Sequence, residues 1–372
     1  MRVIIERAQL LKSLNHVQSV VERRNTIPIL SNVMLNARDG KIRLTATDLD
    51  IEIVEEVPAD VMVEGSTTIP AHLVHDIVRK LPDGSQLEIE QGPDEGRLSI
   101  AAGRSRFALQ ALPPDDFPDL TTGDLTHEFS ISAALIKRMI EKTRFAISTE
   151  ETRYYLNGIY LHQLEKNGEQ VLRAVATDGH RLAQVEVPCP AGAEGIPGVI
   201  VPRKTVLELI KLIEDEEGSI EVGLSSSKVQ FSLNGMVLTS KLIDGSFPDY
   251  ERVIPTGNDK LLEVDRRLFA QAVDRVSTVS AEKGRAIKIN VNPDRIVLTV
   301  NNPDSGNAEE EVAATCDSDP LDVGFNAQYL LDIASQLDGD MAQFLMFDSG
   351  SPTIIRDTAD DSVLYVLMPM RV

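Results

Sequence analysis

One pattern recurs along the chain and limits the folds that are open to it. An alternating apolar run followed by an amphipathic helix begins near residues 2, 128 and 261, so the openings lie about 130 residues apart. Each opening is followed by a strand-rich block, a second short helix and another pair of strands. Because a fixed long period is typical of repeated structural modules, the pattern predicts three similar α+β units in one chain.

The ends of the first two copies share a phrase. Phe-Pro-Asp occurs at 117–119 and again at 247–249, whereas the third copy ends with Met-Pro-Met-Arg at 368–371. These ends predict domains at 1–124, 125–254 and 255–372, each with two helices on antiparallel sheets. Three unrelated α+β domains are the alternative. Similar modules in a row favour an arc, since equivalent faces then meet at equivalent angles.

The overall charge excludes some classes of protein. The chain of 372 residues has a formal net charge of −21, which argues against a protein that grips nucleic acid by neutralising many phosphates. No apolar run approaches the roughly 18 residues of a membrane span, and residues 1–7 lack the apolar core of a signal peptide. Two cysteines, Cys189 and Cys316, make no disulfide framework, so we expect a reducing cytoplasm.

The predicted helices depart from this acidic average. Lysine and arginine group around five of the six predicted helices, while strands and loops carry acids, as at 55–56 and 309–311. If all helices faced one way, the inner face of an arc would be mildly basic. Weak phosphate contacts of this kind position a protein without reading sequence, and they permit sliding. The alternative is that these residues collect in helices because they are good helix formers.

Two short motifs raise the question of catalysis. Asp178 and His180 suggest an acid–base pair, and a hydrolase that uses them is one hypothesis, but the spacing favours a turn with Gly179 at its bend. The Ser-x-x-Lys pattern at 280–283 lacks the Lys-Thr-Gly that accompanies it in penicillin-binding enzymes. We find no phosphate loop, dinucleotide fingerprint or His/Cys metal spacing in the sequence, so no cofactor and no metal are expected.

A series of further motifs extends over the whole length. In chain order they are Arg24 with Pro28-Ile29-Leu30, Thr47-Asp48-Leu49, Gly103-Arg104-Ser105-Arg106-Phe107, Arg153-Tyr154-Tyr155-Leu156-Asn157-Gly158, Ala176-Thr177-Asp178-Gly179-His180-Arg181-Leu182, Val201-Pro202-Arg203-Lys204, Phe247-Pro248-Asp249-Tyr250 and Met368-Pro369-Met370-Arg371. In this combination the chain resembles the bacterial DNA polymerase III beta subunit family, the β sliding clamps.

The resemblance implies a fold and a role. In that family three DNA-clamp domains form each chain, and a head-to-tail homodimer closes a ring of six domains with twelve helices around the hole. The resemblance therefore implies a processivity factor that encircles double-stranded DNA independently of its sequence. Such a protein is a non-catalytic subunit of the DNA polymerase III holoenzyme. The implied partners are an ATP-dependent clamp loader, the polymerase III catalytic subunit, and repair polymerases, mismatch-repair proteins and ligase that share one docking site, with no membrane partner.

The resemblance also implies a peptide-binding pocket between the second and third domains. Its residues are Leu156, Thr177, Gly179, His180, Arg181, Leu182, Pro248, Arg252, Val253, Val366, Leu367, Met368, Pro369, Met370 and Arg371. A peptide with apolar anchors needs a groove of aliphatic side chains, and methionine adapts to many partners. We expect Arg181, Arg252 and Arg371 to hold a polar or acidic end of the peptide. The alternative is that Met368 and Met370 are core residues at the end of a strand.

Contact with DNA is expected at positions that match the family's DNA-facing loops and helices. These are Arg24, Arg153, Tyr154, Tyr155, Arg203 and Lys204; helix placement alone adds Arg7, Arg79, Lys137, Arg138 and Lys142. Each cation has the alternative of being a solvated surface charge. Glu150 and Glu151 depart from the family pattern, because two carboxylates repel phosphate, so we do not expect that loop to grip DNA.

The seam of the ring is expected to join the first domain of one copy to the third domain of the other. Phe107 and Leu109 would meet Thr278 and Val279, with Arg104 and Arg106 facing the acids at 309–311. Because Thr278 and Val279 are smaller and more polar than large aliphatic residues, the seam should be closable but less hydrophobic.

A repeat-type module that binds proteins and not DNA is the remaining hypothesis.

Overall fold

The computed structural model describes residues 1–23, 25–92, 96–120, 123–214, 216–280 and 286–371. Within these ranges the six α-helices are α1 (Arg7–Val17), α2 (Ala71–Lys80), α3 (Ala133–Thr143), α4 (Arg203–Leu212), α5 (Arg266–Ser277) and α6 (Ala327–Ala334). None of the described helices is long and apolar enough to cross a lipid bilayer.

The strands repeat one order three times. The first copy contains β1 (Arg2–Glu6), β2 (Asn32–Arg38), β3 (Lys41–Thr47), β4 (Ile51–Pro58), β5 (Asp60–Val63), β6 (Gly65–Pro70), β7 (Gln86–Gln91), β8 (Arg97–Ala102) and β9 (Ser105–Gln110). The second contains β10 (His127–Ser132), β11 (Gly158–Lys166), β12 (Glu169–Thr177), β13 (Arg181–Pro188), β14 (Val199–Pro202), β15 (Ser219–Leu224), β16 (Lys228–Leu233) and β17 (Met236–Lys241). The third contains β18 (Lys260–Asp265), β19 (Ala286–Val291), β20 (Arg295–Asn302), β21 (Gly306–Cys316), β22 (Leu321–Asn326), β23 (Met341–Met346), β24 (Thr353–Asp357) and β25 (Val363–Leu367).

This order confirms the predicted α+β repeat. Each copy runs strand, helix, strand block, helix and three strands, and only β5 has no counterpart in the other two copies as described. Short 3₁₀ helices lie in the connections, among them Glu151–Leu156 and Tyr250–Val253.

The chain divides into two compact units, and the second copy contributes to both. One unit comprises residues 1–134, 190–196 and 207–242, and the other comprises 135–189, 197–206 and 243–372. The first unit holds the sheets β5-β1-β7-β8-β9 and β10-β15-β16-β17-β4-β3-β2-β6. The second holds β14-β11-β12-β13-β25-β24-β23-β18-β21-β20-β19-β22. In each unit, then, a sheet continues from one copy into the next, through β17 with β4 and through β13 with β25.

Helical and strand periodicities account for the cores. In α5 the buried residues Phe269, Ala272, Val273 and Val276 recur at helical spacing and form one face. The side chain of Asp265 caps that helix by accepting a hydrogen bond from the amide of Leu268 at 2.9 Å. Strand β20 alternates exposed or half-buried with buried positions, as expected when a strand buries one face.

Candidate functional site

The turn between β12 and β13 is built by its own polar side chains. The Asp178 carboxylate accepts hydrogen bonds from the amides of His180 (2.9 Å) and Arg181 (3.0 Å), and the Thr177 hydroxyl donates to the Arg181 carbonyl (2.7 Å). Gly179 has a φ of +88° and lies so close to Arg153 that a Cβ would come within 2.6 Å of its Nη1. Glycine adopts this left-handed conformation without strain, so the turn favours glycine at this position.

The same contacts weigh against the hydrolase hypothesis. The described bonds of the Asp178 carboxylate are with backbone amides and with Arg181 Nε at 3.1 Å. The His180 ring instead lies stacked against Tyr329, with ring centroids 6.4 Å apart. Asp178 thus acts as a turn residue in this structure.

Arg181 is held inside the chain. Its guanidinium donates to Asp332 and to the Phe145 carbonyl (2.6 Å), and it lies 4.2 Å from the centroid of the Tyr329 ring. These hydrogen bonds and the cation–π contact fix the Arg181 side chain within the chain, and they thereby stabilise the turn. Arg252 is more accessible, because its side chain is 84% exposed, and it pairs with Asp249 at 2.6 Å.

The floor beside this turn is apolar. Val175, Leu182, Tyr250 and Val366 are buried against one another, and the flanking hydrophobic side chains are only partly buried. Of the other residues expected at the site, Val253 is 48% exposed and Met368 is 40% exposed, while Pro248 is also exposed and Leu156 is buried. Exposed apolar side chains such as Val253 and Met368 suit contact with an apolar side chain of a peptide.

Strand pairing brings most of the sequence-predicted residues together. Leu182 lies opposite Val366 and Arg181 opposite Leu367 in the antiparallel register of β13 and β25. The amide of Met368 then donates to the His180 carbonyl at 2.9 Å. The interpretation of Met368 as a core residue is therefore wrong, because β25 ends at Leu367 and Met368 is exposed.

The last predicted residues diverge from the others. The amide of Met370 donates to the Gly324 carbonyl at 2.7 Å, which connects it to β22. Pro369 and Met370 are half-buried, and Arg371 is exposed. Met370 is thus neither a fully buried core residue nor part of the β13–β25 pairing that carries Met368.

A buried polar network lies behind the floor. Arg173 on β12 bonds Glu186 through Nε at 2.9 Å and donates from Nη1 to the Tyr250 hydroxyl and to Glu251, both at 2.8 Å. The Tyr250 hydroxyl is also 2.9 Å from Nε2 of His162. Burial lowers the pKa of His162, and the nearby Arg173 lowers it further. The network ties the segment after Pro248 to the sheet.

Sequence reasoning missed this network and the aromatic stack beside it. Phe247 stacks on Tyr160 with centroids 4.8 Å apart and planes 6° from parallel. Arg173 and Glu186 occupy directly opposed positions of β12 and β13, within strands that are otherwise largely apolar. The sequence pattern that could have indicated this ion pair is a single opposite charge within each of two neighbouring apolar runs.

The residues expected at DNA lie in several segments of the chain, and one of them, Arg153, contacts the turn at 177–181. Arg24 lies outside the described residues. Tyr154 is 54% exposed and meets the edge of Tyr155 at 5.7 Å between centroids. Arg153 pairs with Glu150 at 3.0 Å and donates to the Asp178 carbonyl at 3.2 Å. One of the two unexpected carboxylates is therefore partly neutralised by its neighbour.

The other expected cations differ in accessibility. Arg203, the first residue of α4, is exposed, and Lys204 is half-buried. Lys142 is buried and pairs with Asp338 at 2.8 Å, while Arg138 pairs with Asp360. Because its own chain encloses it, Lys142 fits neither the contact with DNA that was expected from helix placement nor a solvated surface charge.

Further expected cations are also engaged. Arg7 donates to the Val78 carbonyl at 3.0 Å and pairs with Asp83. Arg79 pairs with Asp76 at 3.3 Å. Such pairs lower the net positive charge that the helices offer to phosphate.

The residues expected at the seam lie on or beside the edge strand β9 and just after the end of helix α5. Strand β9 ends its sheet as described, with Phe107 half-buried and Leu109 buried. The Arg106 guanidinium donates to the carbonyl of Gly103 at 2.9 Å. At the C-terminal end of α5, Thr278 is exposed and Val279 is half-buried.

No group of three or more His, Cys, Asp or Glu side chains in the described ranges is arranged to hold a metal ion.

Comparison with known proteins agrees with the order of the repeats. Models of the DNA polymerase III beta subunit match in chain order: the N-terminal domain at residues 1–121, the central domain at 130–249 and the C-terminal domain at 251–371.

Relatives match over the full length. A beta sliding clamp of Caulobacter vibrioides is 54% identical over 372 residues, and one of Escherichia coli K12 is 39% identical over 374; both alignments cover 100% of each chain. Among solved structures, a Bartonella birtlesii DnaN sliding clamp bound to griselimycin is 52% identical with a TM-score of 0.97, covering 100% of both chains. A Caulobacter crescentus beta sliding clamp with bound PEG is 54% identical with a TM-score of 0.98, covering 100% of this chain and 99% of that one. The chain belongs to the DNA polymerase III beta subunit family, the beta sliding clamps.

Proposed function

We propose that this chain is a DNA sliding clamp that encircles duplex DNA and tethers the replicative DNA polymerase III to it. The observation that carries the proposal is the match of all three clamp-domain models, in order, along one chain. The protein performs no chemistry of its own, and an ATP-dependent clamp loader places it on DNA. Its compartment is the cytoplasm, where replication takes place in bacteria.

Retention on DNA is topological in this proposal. The net charge of −21 disfavours tight binding by phosphate neutralisation, and several helix cations are already paired with acids of the chain. Residues that touch the duplex are Arg24, Arg153, Tyr154, Tyr155, Arg203 and Lys204. Their contacts position the duplex without reading its sequence.

Loading on DNA circles tests the function. With loader and ATP, the protein should stay with nicked circular DNA during gel filtration and leave it once the circle is cut. A protein-binding module would not be retained on either form. A hydrolase would instead show an activity that is lost in His180→Ala.

We propose domains at 1–124, 125–254 and 255–372, and a head-to-tail homodimer that closes a six-domain ring. Two described strand edges support the dimer. Strand β9 pairs on one side only, with β8. The part of β21 before residue 314 pairs with β20 only, because β18 reaches residues 314–316. Unpaired edges of this kind favour the addition of a strand from another chain.

The charges of these two edges are complementary. Arg104 and Arg106 lie beside and on the β9 edge, and the β21 edge carries acids at 309–311. Of these acids, Glu310 already pairs with Arg275 and Glu311 with Arg295. Thr278 and Val279 would lie against Phe107 and Leu109; because Leu109 is buried in its own domain, Phe107 supplies most of the apolar contact.

Size exclusion with light scattering tests the seam. Phe107→Asp should convert the dimer to monomers, because it places a charge in the contact. Met62→Asp is the matched control, since Met62 is exposed on β5, the opposite edge strand of the same sheet. A wild-type monomer at submicromolar concentration would contradict a stable ring.

The apolar floor and its rim are proposed as the shared docking site for partner peptides. The partners are the polymerase III catalytic subunit, the clamp loader, repair polymerases, mismatch-repair proteins and ligase. The site comprises Leu156, Thr177, Gly179, His180, Arg181, Leu182, Pro248, Arg252, Val253 and residues 366–371. Exposed Met368 and Val253 over a closed floor support an apolar anchor in this position.

Fluorescence anisotropy with a labelled peptide from the polymerase tests the docking site. Met368→Ala should weaken binding about tenfold, because the lost apolar contact amounts to roughly 1–2 kcal/mol. Met62→Ala changes another exposed methionine, which lies in the first copy, and should leave the affinity unchanged. Equal affinities for both variants would place the peptide elsewhere.

A further inference from the structure

The turn at 177–181 beside the peptide floor has a close counterpart at 47–51. The Asp48 carboxylate accepts hydrogen bonds from the amides of Asp50 (2.9 Å) and Ile51 (2.7 Å), as Asp178 does in the second copy. The threonine that begins each turn donates to the carbonyl four residues later, at 2.8 Å and 2.7 Å. The first copy therefore repeats the turn that borders the peptide site.

Strand pairing extends the equivalence to the surroundings. The amide of Lys241 donates to the Asp50 carbonyl at 2.9 Å, which corresponds to the bond from Met368 to His180. Within β4 and β17, Glu52 lies opposite Thr239. In β13 and β25 the same register places Leu182 opposite Val366. Glu52 consequently occupies the place in the first copy that the floor leucine has in the second.

The equivalent place contains a cavity. It has a volume of about 340 Å³, which is within the range of roughly 300–1,000 Å³ for small-ligand sites. Met34, Val54 and Val237 supply apolar wall, and residues 117–119, the Phe-Pro-Asp segment of the first copy, also line it. Glu52 is among the lining residues.

Glu52 is an unusual residue for such a position. Its side chain is 1% exposed, and Oε1 has no hydrogen-bond partner in the described part of the chain. Oε2 accepts from the amide of Leu120 at 3.2 Å. Burial raises the pKa of Glu52, and the nearby Asp119 raises it further. A buried carboxylate with one unused oxygen is unfavourable unless a donor reaches it.

The neighbouring cations of the protein are engaged elsewhere. Arg43, which lines the cavity, bonds Glu56 from Nε at 3.0 Å. Lys228 donates to the Leu120 carbonyl at 2.7 Å. The positive charges of Arg43 and Lys228 act through space to lower the pKa of Glu52. Neither side chain is a described hydrogen-bond donor to Oε1.

We propose that this cavity binds a lysine or arginine side chain of a partner segment. Binding would turn the buried carboxylate of Glu52 toward the cavity, so that the ammonium or guanidinium group donates to Oε1. The aliphatic stem would lie on the apolar wall. The occupant differs in chemistry from that of the floor in the second copy, because a carboxylate replaces leucine at the equivalent place. The proposal does not depend on ring closure or on the peptide site.

Single amino-acid derivatives test the proposal directly. The probes are Nα-acetyl-lysine amide and Nα-acetyl-arginine amide, with Nα-acetyl-norleucine amide as the control that keeps the stem and lacks the charge. Binding is followed by NMR on protein with ¹³C-methyl methionine, because Met34 lines the cavity. The two cationic probes should shift the Met34 signal saturably, and norleucine should bind at least about tenfold more weakly.

Two variants separate the carboxylate from the cavity. Glu52→Gln should weaken both cationic probes about tenfold or more, whereas Glu90→Gln, a change at an exposed glutamate of another sheet, should have no effect. Val237→Phe fills the cavity from a half-buried position and leaves Glu52 intact, so it should abolish binding even if Glu52→Gln does not fold.

Several results would overturn the proposal. Equal binding of norleucine and lysine derivatives would remove the role of the charge. Unchanged lysine binding in Val237→Phe would place the probe outside the cavity. A crystal structure of the probe-soaked protein that shows only a water molecule on Glu52 would also refute it.

Discussion

Replacement of Arg173 by methionine tests the energetic reasoning about the buried network. The guanidinium bonds Glu186, the Tyr250 hydroxyl and Glu251, and both Arg173 and Glu186 are buried. Removal of one partner from a buried ion pair is unfavourable by roughly 3–5 kcal/mol. The exposed Glu251 contributes less than about 1 kcal/mol of that total. We therefore expect Arg173→Met to destabilise the local structure by about 3–5 kcal/mol.

The double variant gives the sharper result. When Glu186 is also replaced by methionine, no buried carboxylate is left without its partner, and Lys166, which also pairs with Glu186, keeps its partial exposure to solvent. The loss in Arg173→Met/Glu186→Met should be smaller than the sum of the single losses by at least about 2 kcal/mol.

Hydrogen exchange measured by mass spectrometry over residues 169–188 is the assay, because it reports the local opening free energy in a chain of several domains. A matched surface pair is available as control: Lys41 and Glu56 lie 3.3 Å apart and are more exposed, so their coupling should stay below about 1 kcal/mol. Additive effects for Arg173 and Glu186, or a single loss below about 1 kcal/mol, would refute the reasoning.

Three further perturbations have defined outcomes. Burial holds the pKa of His162 below the ordinary value of 6.5, so the unfolded chain takes up the proton at a higher pH than the folded chain does. The free energy of unfolding should therefore fall as the pH drops below 6.5. Urea unfolding measured across this pH range should show no such slope in His162→Gln if the residue is responsible. Leu49 has a φ of +79° at the place that Gly179 occupies in the second copy, so Leu49→Gly should be neutral or raise the melting temperature, whereas Gly179→Leu should lower it; equal losses would contradict the strain argument. The Tyr365 hydroxyl is buried without a partner among the described residues, so Tyr365→Phe should stabilise by up to about 1 kcal/mol in thermal unfolding, and a clear loss would reveal a hidden partner.

Local pattern in the sequence predicted the repeated elements well. Helices such as α5 carry a complete apolar face at helical spacing, and the three openings recur at a steady period, so type and order of the elements followed from short-range physics. The turn at 177–181 was likewise predictable, because Asp and Gly carry the turn chemistry in their own side chains.

The interactions across the sheets were not predictable from such patterns. Arg173 bonds residues 13 and 77 positions away, and no local rule indicates which partner a buried arginine finds. The residues expected at the peptide site came from the resemblance. That Arg181 is held inside the chain follows only from the position of Asp332. Burial of Lys142 was unpredictable for the same reason, because its partner Asp338 lies 196 residues further along the chain.

Electron microscopy of the purified protein shows whether two copies of the chain close into a ring. If three like domains per chain and two edge-to-edge seams close a six-domain ring, single particles should show a ring with a central hole wide enough for a DNA duplex. Phe107→Asp should yield open arcs under the same conditions. Rods, or solid globular particles without a hole, would contradict the account.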